Sequence, residues 1–226
     1  NVLVGAEGKY SNIADILDIE VYLYNLRDIY NPPLIIAKNY TLLGIKPSLH
    51  IKDLTASVEF VKPFSGDGVF SNDIKSYDTI LLKIDAAYNI KNINLTPRAT
   101  FFMAGGKDKG VVTAGNYVPG LVGCPTITQN DDGFVGYANT IITNVGADYT
   151  YKKAVFSIDF LNYGLVSASN GSKYGISEID ISAAYEYDEN ISLFAGVGEA
   201  FGTDGYNQDV KFGSYASIQA GVTYKF

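Results

Sequence analysis

Residues 178–187 read EIDISAAYEY, and along this segment apolar and polar side chains alternate with a period of two. One face carries Ile179, Ile181, Ala183, Tyr185 and Tyr187, and the other carries Glu178, Asp180, Ser182, Ala184 and Glu186. A period of two predicts a β-strand, because successive side chains of a strand point to opposite sides of the sheet. The segment therefore predicts a strand that separates an apolar environment from a polar one.

The same alternation recurs along the chain, and no long segment follows the helical period of 3.6. It is found in 2–10, 17–23, 43–51, 54–60, 80–90, 95–103, 145–151, 154–160, 191–197 and 216–226. The chain of 226 residues also has 23 Gly and 18 Tyr, which are typical of proteins with many strands and turns. The sequence therefore predicts an all-β fold with about eleven strands.

The predicted connections between these strands alternate between short and long. The short ones are 52–53, 91–92, 152–153 and 188–190, and the long ones cover roughly 27–40, 63–77, 104–134, 164–175 and 202–213. Strict alternation is typical of antiparallel up-and-down barrels in the bacterial outer membrane, whose tight turns face the periplasm and whose long loops face outward. We therefore expect a transmembrane β-barrel located in that membrane.

Six tyrosines on the apolar faces lie close to the short turns or to the C-terminus. They are Tyr88, Tyr149, Tyr151, Tyr185, Tyr187 and Tyr224. Tyrosine favours the boundary between membrane and water, where its ring is buried and its hydroxyl is hydrated. These residues are therefore predicted to form the membrane-interface girdle on one side of the barrel, with the lipid bilayer and lipopolysaccharide as partners.

Composition excludes several classes of protein. The net charge of −7 argues against nucleic acid as a partner, because phosphate binding needs clustered Lys and Arg. A single cysteine, Cys124, excludes an internal disulfide framework, and a single histidine, His50, excludes most zinc sites. We expect no cofactor and no metal. A soluble sandwich or lipocalin-like barrel is the alternative fold, but its polar face should be rich in Lys and Glu, which are sparse here.

The C-terminal half resembles a known family of outer-membrane proteins. The segments GYANTIITNVGADYTYKKAVFSIDFLNYGLVSAS (136–169), SEIDISAAYEYDENISLFAGVGEAFG (177–202) and YASIQAGVTYKF (215–226) are similar to the last strands of alginate-export-like porins. The final Phe226 resembles the signal that the outer-membrane assembly machinery reads. The resemblance implies a single-chain barrel of roughly eighteen strands.

An odd count of eleven strands conflicts with the even count and the periplasmic termini that are usual for such barrels. Either the count is wrong by one and the barrel is complete with ten or twelve strands, or the chain is the C-terminal portion of a larger barrel of about 16–18 strands. Under both alternatives we expect residues 1–226 to form a single β-barrel domain. The start of the chain, NVLVGAEGKYSNIADI (1–16), favours the second alternative.

Alternation also assigns charged residues to the predicted lumen. The candidate pore-lining residues are the acidic Asp18, Glu20, Glu59, Asp85, Asp148, Asp159, Glu178, Asp180 and Glu186, and the basic Lys46, Lys83 and Arg98, with Lys225 near the end of the chain. A lumen with excess negative charge concentrates cations. This departs from alginate exporters, which pass a polyanion and would need a basic lumen. Alternatively, pairs such as Lys83 and Asp85 compensate each other and leave little net selectivity.

We therefore predict a porin for passive diffusion of small polar solutes or ions, whose selectivity comes from lumen charge and from the long 104–134 segment folding inward. For this segment an ordinary surface loop is an equally good alternative. Solvated turns are the better interpretation of Asp67, Asp73, Asp131 and Asp132, which match no Ca²⁺ loop pattern. The first alternative is a structural or adhesion barrel that conducts nothing. The second is an outer-membrane hydrolase, but His50 lies near the predicted periplasmic rim and no G-x-S-x-G motif is present. We predict no catalytic residues, and homo-oligomerisation stays open.

Overall fold

The computed structural model describes residues 2–27, 39–65, 80–105, 111–114, 128–129, 134–137, 140–165, 175–202 and 214–225. These residues form strands and turns. The strands are β1 (Val2–Ile13), β2 (Leu17–Arg27), β3 (Asn39–Ile51), β4 (Leu54–Ser65), β5 (Leu81–Tyr88), β6 (Leu95–Ala104), β7 (Val111–Ala114), β8 (Thr128–Gln129), β9 (Phe134–Tyr137), β10 (Thr140–Tyr151), β11 (Ala154–Leu165), β12 (Ile176–Glu186), β13 (Ile191–Gly202) and β14 (Tyr215–Tyr224). Within the described residues, no helix is long and apolar enough to span a bilayer.

Eleven of the strands form one sheet in the order β1-β2-β3-β4-β5-β6-β10-β11-β12-β13-β14. Each of these strands pairs antiparallel with the next strand in this order, as in β1 with β2 and β12 with β13, and β6 pairs with β10 because β7, β8 and β9 lie in another sheet. The prediction of an all-β, up-and-down antiparallel sheet of eleven strands is therefore confirmed.

The segment 104–134 was expected to be one long loop, and this expectation was wrong in part. It contains β7 and β8, which pair with β9 in a separate sheet of three strands, in the order β7-β9-β8. Strands of four and two residues are too short to show an alternating pattern, so no periodic signal marks them.

Tight turns join alternate pairs of strands. Residues 14–16, 52–53 and 152–153 connect β1 to β2, β3 to β4 and β10 to β11. Ala14, Lys52 and Lys152 have φ values of 52°, 52° and 55°. Such positive φ values allow a tight hairpin turn to follow the right-handed twist of the strands it joins. The turns predicted at 52–53 and 152–153 are confirmed, whereas the connections predicted at 91–92 and 188–190 are longer and cover 89–94 and 187–190. The 14–16 turn was not predicted, and most residues of the predicted long connections lie outside the described part.

The chain divides into two compact units. The first consists of Asn1–Asp85, Phe101–Tyr117 and Pro125–Ile141, and the second consists of Ala86–Thr100, Val118–Cys124 and Ile142–Phe226. In the first unit, β4 alternates between exposed and buried side chains: Val58 and Phe60 are 40% and 39% exposed, whereas Glu59 between them is 7% exposed. The apolar face of this strand is therefore the exposed one.

In the second unit, too, apolar side chains are exposed while charged side chains are buried, and the difference in exposure is larger. Ile181 is 55% exposed and Val222 is 70% exposed, whereas Asp180 is 4% exposed. The exposed apolar side chains of this unit include Phe156, Ile158, Phe160, Ile179, Ile181, Leu193, Val197, Ile218 and Val222. A soluble sandwich would bury this face, so that alternative does not fit. Below, "apolar face" means the side of the sheet that carries these residues, and "polar face" means the opposite side.

Candidate functional site: the charged polar face

The residues predicted to line a lumen lie on the polar face of the eleven-stranded sheet. Along its own strand, each of them alternates with residues of the apolar face. They are Asp18, Glu20, Lys46, Glu59, Lys83, Asp85, Arg98, Asp148, Asp159, Glu178, Asp180 and Glu186. The structure brings only some of them into contact, and those contacts define the candidate site.

Arg98 on β6 is the centre of the main charge cluster, which lies in the second unit. Its Nε and Nη2 donate to the two carboxylate oxygens of Asp148 on β10, at 3.0 and 3.1 Å. Its Nη1 and Nη2 donate to the carboxylate of Asp159 on β11, at 2.5 and 2.7 Å. The planar guanidinium thus binds two carboxylates, each through two hydrogen bonds, which is the strongest geometry that an arginine offers.

Gly146 on β10 makes this contact possible. It lies on the polar face between the strands of Arg98 and Asp159, and a Cβ placed on it would overlap Asp159 Oδ1 and would lie 3.1 Å from Arg98 Nη1. The carbonyl oxygen of Ile158 would lie 2.7 Å from that Cβ. Because any larger side chain would occupy the path of the guanidinium, glycine is required at this position for Arg98 to bridge across β10.

Asp159 has a second donor and a carboxylate neighbour. Nδ2 of Asn144 donates to Asp159 Oδ1 at 2.8 Å, and Asn144 is 1% exposed. Across the pair β11–β12, Asp159 lies directly opposite Asp180. Farther along these strands the hydroxyl of Tyr163 donates to Glu178 Oε2 at 2.8 Å. Three carboxylates are thus concentrated on the polar face of β11 and β12.

The first unit uses a similar arrangement with tyrosines. The hydroxyl of Tyr22 on β2 donates to Oε1 of Glu59 on β4 at 2.5 Å, although β3 lies between these strands in the sheet. The Tyr22 ring passes over Gly44 on β3, where a Cβ would overlap it. Tyr24, whose ring centroid is 5.2 Å from that of Tyr22, donates to Glu7 Oε2 at 2.9 Å. Tyr22 thus reaches Glu59 over Gly44, as Arg98 reaches Asp159 over Gly146.

Other predicted charges form ion pairs in the first unit. Lys83 Nζ lies 3.2 Å from Asp85 Oδ2, so the predicted pairing of these two residues is confirmed. Asp18 Oδ2 lies 3.4 Å from Lys9 Nζ and 3.7 Å from His50 Nε2, and the backbone amide of Asn12 donates to Asp18 Oδ1 at 2.8 Å. His50 lies beside the 52–53 turn, as expected from the sequence, and its side chain is 52% exposed.

Several residues of these clusters were not predicted. Glu7 and Lys9 on β1, Asn144 and Gly146 on β10, and Tyr22 and Tyr163 belong to them. Alternation could have placed Lys9 and Glu7 on one face, since they are two residues apart in a predicted strand. The importance of Gly146 has no signal in a single sequence, because it depends on the side chains of two other strands.

The six predicted girdle tyrosines all lie in the second unit and on its apolar face. They are between 43% and 60% exposed: Tyr88, Tyr149, Tyr151, Tyr185, Tyr187 and Tyr224. They lie near the short turns, and the Lys152 Nζ of one such turn lies 5.3 Å from the ring centroid of Tyr151. Their role as a membrane-interface girdle stays a prediction.

Among the described residues, no group of three or more His, Cys, Asp or Glu side chains could hold a metal ion. The residues that the sequence raised as possible cation ligands, Asp67, Asp73, Asp131 and Asp132, lie outside the described part of the chain. So do Cys124 and the predicted assembly signal, Phe226.

Solved outer-membrane porins share the fold of this chain. OccAB4 of Acinetobacter baumannii is 15% identical and gives a TM-score of 0.59 over 98% of this chain and 53% of that one. OccK10 (OpdN) of Pseudomonas aeruginosa is 14% identical, with a TM-score of 0.58 over 98% and 60% of the two chains. OccK5 (OpdH), from the same organism, is 15% identical, with a TM-score of 0.58 over 99% and 58%.

No protein-family model and no curated protein matches the sequence. The chain spans between 53% and 60% of the length of the three solved porins. At these low identities the likeness concerns the fold. The chain therefore has the antiparallel up-and-down fold of bacterial outer-membrane β-barrel porins.

Proposed function

We propose that the protein is an outer-membrane porin that lets small polar solutes or ions diffuse passively. The observation that carries the proposal is the inverted sheet: apolar side chains such as Ile181 are exposed on one face, while charged side chains such as Asp180 lie on the other. In a lipid bilayer such a sheet presents its apolar face to hydrocarbon and its polar face to water. The porin fold of the solved relatives supports the same function.

The proposed partners follow from the two faces. Lipid and lipopolysaccharide would contact the apolar face, with the six tyrosines at the membrane boundary on the short-turn side. The outer-membrane assembly machinery would read Phe226, and homo-oligomers are compatible with the proposal. The finer resemblance to alginate-export-like porins stays a prediction, since the solved structures support an outer-membrane porin in general.

The polar face favours cations over anions. Arg98 is the basic residue of the main cluster, and Asp148 and Asp159 together outweigh its charge. On the described polar face of β11–β14 the charged side chains are Asp159, Glu178, Asp180 and Glu186, all acidic. Fixed negative charge along a low-dielectric wall concentrates cations. A polyanion such as alginate is therefore a poor candidate, and we propose small cations and neutral polar solutes.

We further propose that the segment 104–134 narrows the pore. In the first unit Leu81, Phe102 and Ala104 are fully buried. Leu81 lies on the same face of β5 as the charged Lys83 and Asp85, and Phe102 and Ala104 share one face of β6. Other parts of the chain must cover these side chains, and a long connection that contains β7 and β8 is a suitable source. The same burial favours a second candidate function, a non-conducting structural barrel, because covered side chains can also close a lumen.

Conductance across a planar bilayer tests the proposal and separates the two candidates. With a salt gradient across the bilayer, a cation-preferring porin gives stepwise currents whose reversal potential has the sign expected for cations. Absence of current from correctly inserted protein would support the structural barrel, and a reversal potential of the opposite sign would contradict the proposed selectivity. Protein unfolded before addition serves as the control.

We propose no catalysis. The hydrolase alternative would need His50, whose side chain is about half exposed beside a short turn and lies 3.7 Å from Asp18. Hydrolysis of a peptide or lipid by the purified protein, abolished in the His50→Ala variant, would move the protein to the enzyme class. Conductance unchanged by His50→Ala, without hydrolysis by either form, agrees with the porin.

A further inference from the structure

On β11, β12 and β13 the apolar face does not continue to both ends of the strands. At the strand ends far from the short turns, polar residues occupy the outward positions. The outward positions of the three strands are apolar or aromatic before that end: Phe156, Ile158 and Phe160 on β11, Tyr185, Ala183, Ile181 and Ile179 on β12, and Ile191, Leu193, Ala195 and Val197 on β13. The next outward positions are Asn162, Ser177 and Glu199. These three residues, all in the second unit, are called the polar rim below.

The members of the polar rim are neighbours. Asn162 lies opposite Ser177, and its Nδ2 donates to Ser177 Oγ at 3.2 Å. Glu199 is exposed and lies opposite Ile179 on β12, one outward position from Ser177, and opposite Ala216 on β14. Polar side chains thus interrupt the apolar face at nearly one level on three adjacent strands.

The distance from the polar rim to the tyrosine level is nearly constant. Ser177 is eight residues from Tyr185 on β12, and Glu199 is eight residues from Ile191, which pairs with Tyr224. A rise of about 3.4 Å per residue gives roughly 27 Å along the strand. Strands of outer-membrane barrels tilt by about 40°, which leaves roughly 21 Å along the membrane normal, close to the apolar band of about 25 Å that is typical of such barrels.

We propose that the polar rim marks the outer boundary of the hydrocarbon layer, so that lipid tails cover only the residues between it and the tyrosines. The proposal rests on the outer-membrane location stated above. It explains why a carboxylate, Glu199, is exposed on an otherwise apolar face, since a charged group on the lipid-facing side costs less near the interface than at the bilayer midplane. Phe201, the next outward residue and 43% exposed, then lies on the headgroup side, where aromatic residues form a second belt.

The chain contains no tryptophan, so a single introduced tryptophan reports the depth of its own position. The Ile181→Trp, Ser177→Trp and Tyr185→Trp variants are compared in liposomes made with phosphatidylcholine brominated either near the headgroup or deep in the acyl chain. We expect deep bromines to quench Ile181→Trp severalfold more than the other two variants. Shallow bromines should quench Ser177→Trp and Tyr185→Trp most strongly.

Two outcomes would overturn the proposal. If Ser177→Trp is quenched like Ile181→Trp, the hydrocarbon layer extends past the polar rim. If Ile181→Trp in inserted protein is quenched by neither lipid, this face is covered by protein, for example by a second copy of the chain. Insertion is checked by protease resistance of the liposome-bound protein.

A charge exchange gives a second test that does not depend on fluorescence. Glu199→Gln is expected to insert as efficiently as the parent, whereas Ile181→Glu is expected to lower the inserted fraction severalfold. Equal insertion of both variants would contradict the boundary. These tests can fail independently of the porin proposal. If the protein shows the expected depth profile but conducts no current, the porin proposal is wrong and the proposed boundary at the polar rim still holds.

Discussion

Arg98 on β6 and Asp159 on β11 form an ion pair with two hydrogen bonds, at 2.5 and 2.7 Å, although β10 lies between their strands in the sheet. The same guanidinium also binds Asp148 on β10. One side chain therefore ties three consecutive strands of the sheet together on the polar face. Because it also neutralises part of the acidic charge there, we expect it to affect both stability and ion selectivity.

Arg98→Met should destabilise the protein by about 3 kcal/mol, because it leaves the largely buried carboxylate of Asp159 without its cation. The stability of Arg98→Lys should fall between those of Arg98→Met and the parent, since an ammonium cannot bind two carboxylates through paired hydrogen bonds. Urea-dependent unfolding in lipid vesicles, followed by circular dichroism, measures both. Equal stability of the parent and Arg98→Met would show that the ion pair contributes nothing net.

Gly146→Ala should destabilise the protein by about 1–3 kcal/mol, because its Cβ would overlap Asp159 and force the Arg98 guanidinium away. Gly221→Ala is the matched control. It also adds one methyl group to a strand glycine, but nothing lies within 4 Å of the added atom. We expect the control to change the free energy of unfolding by less than about 0.5 kcal/mol. Similar losses in the two variants would contradict the steric explanation.

Tyr22→Phe should lower the free energy of unfolding by about 1–3 kcal/mol, because the hydroxyl that donates to the buried Glu59 is lost. Tyr24→Phe removes the corresponding hydrogen bond to Glu7, but that pair is exposed and water can replace the donor. Its cost should therefore be smaller. Unfolding midpoints measured under identical conditions compare the stabilities of the two variants. A larger loss of stability for Tyr24→Phe would contradict the greater importance of the buried hydrogen bond.

Asp180→Asn should reduce the cation preference that we propose for the pore, because it removes one negative charge from the polar face. Glu199→Gln makes the same chemical change on the apolar face and should leave the reversal potential unchanged. Reversal potentials of the two variants in the same salt gradient give the comparison. A shift in Glu199→Gln that equals the shift in Asp180→Asn would mean that the two faces are not separated.

The faces of the strands could be predicted from the sequence, because alternation with a period of two follows directly from strand geometry. Ile181 and Asp180 are adjacent, and their opposite environments were expected from this pattern alone. The eleven strands and the turns at 52–53 and 152–153 followed from the same pattern. The face assignment was robust because it depends on neighbours along the chain rather than on pairing between strands.

The contacts on the polar face could not be predicted in the same way. Asp148 and Asp159 are 50 and 61 residues from Arg98, and which carboxylates the guanidinium meets depends on strand order and register. Alternation fixes neither of these. Lys83 and Asp85 were the exception, since two residues on one strand share a face whatever the register. The short strands β7 and β8 were missed because they hold too few residues for a pattern.

Thiol labelling of two adjacent positions on β12 tests most directly whether the apolar face meets lipid and the polar face meets water. With the native Cys124 replaced by Ser, Ser182→Cys and Ile181→Cys are each placed in liposomes and exposed to a membrane-impermeant thiol reagent and to a lipid-soluble one. We expect the impermeant reagent to label Ser182→Cys, and only the lipid-soluble reagent to label Ile181→Cys. Labelling of Ile181→Cys from water, with Ser182→Cys reacting only from lipid, would contradict this assignment of the two faces.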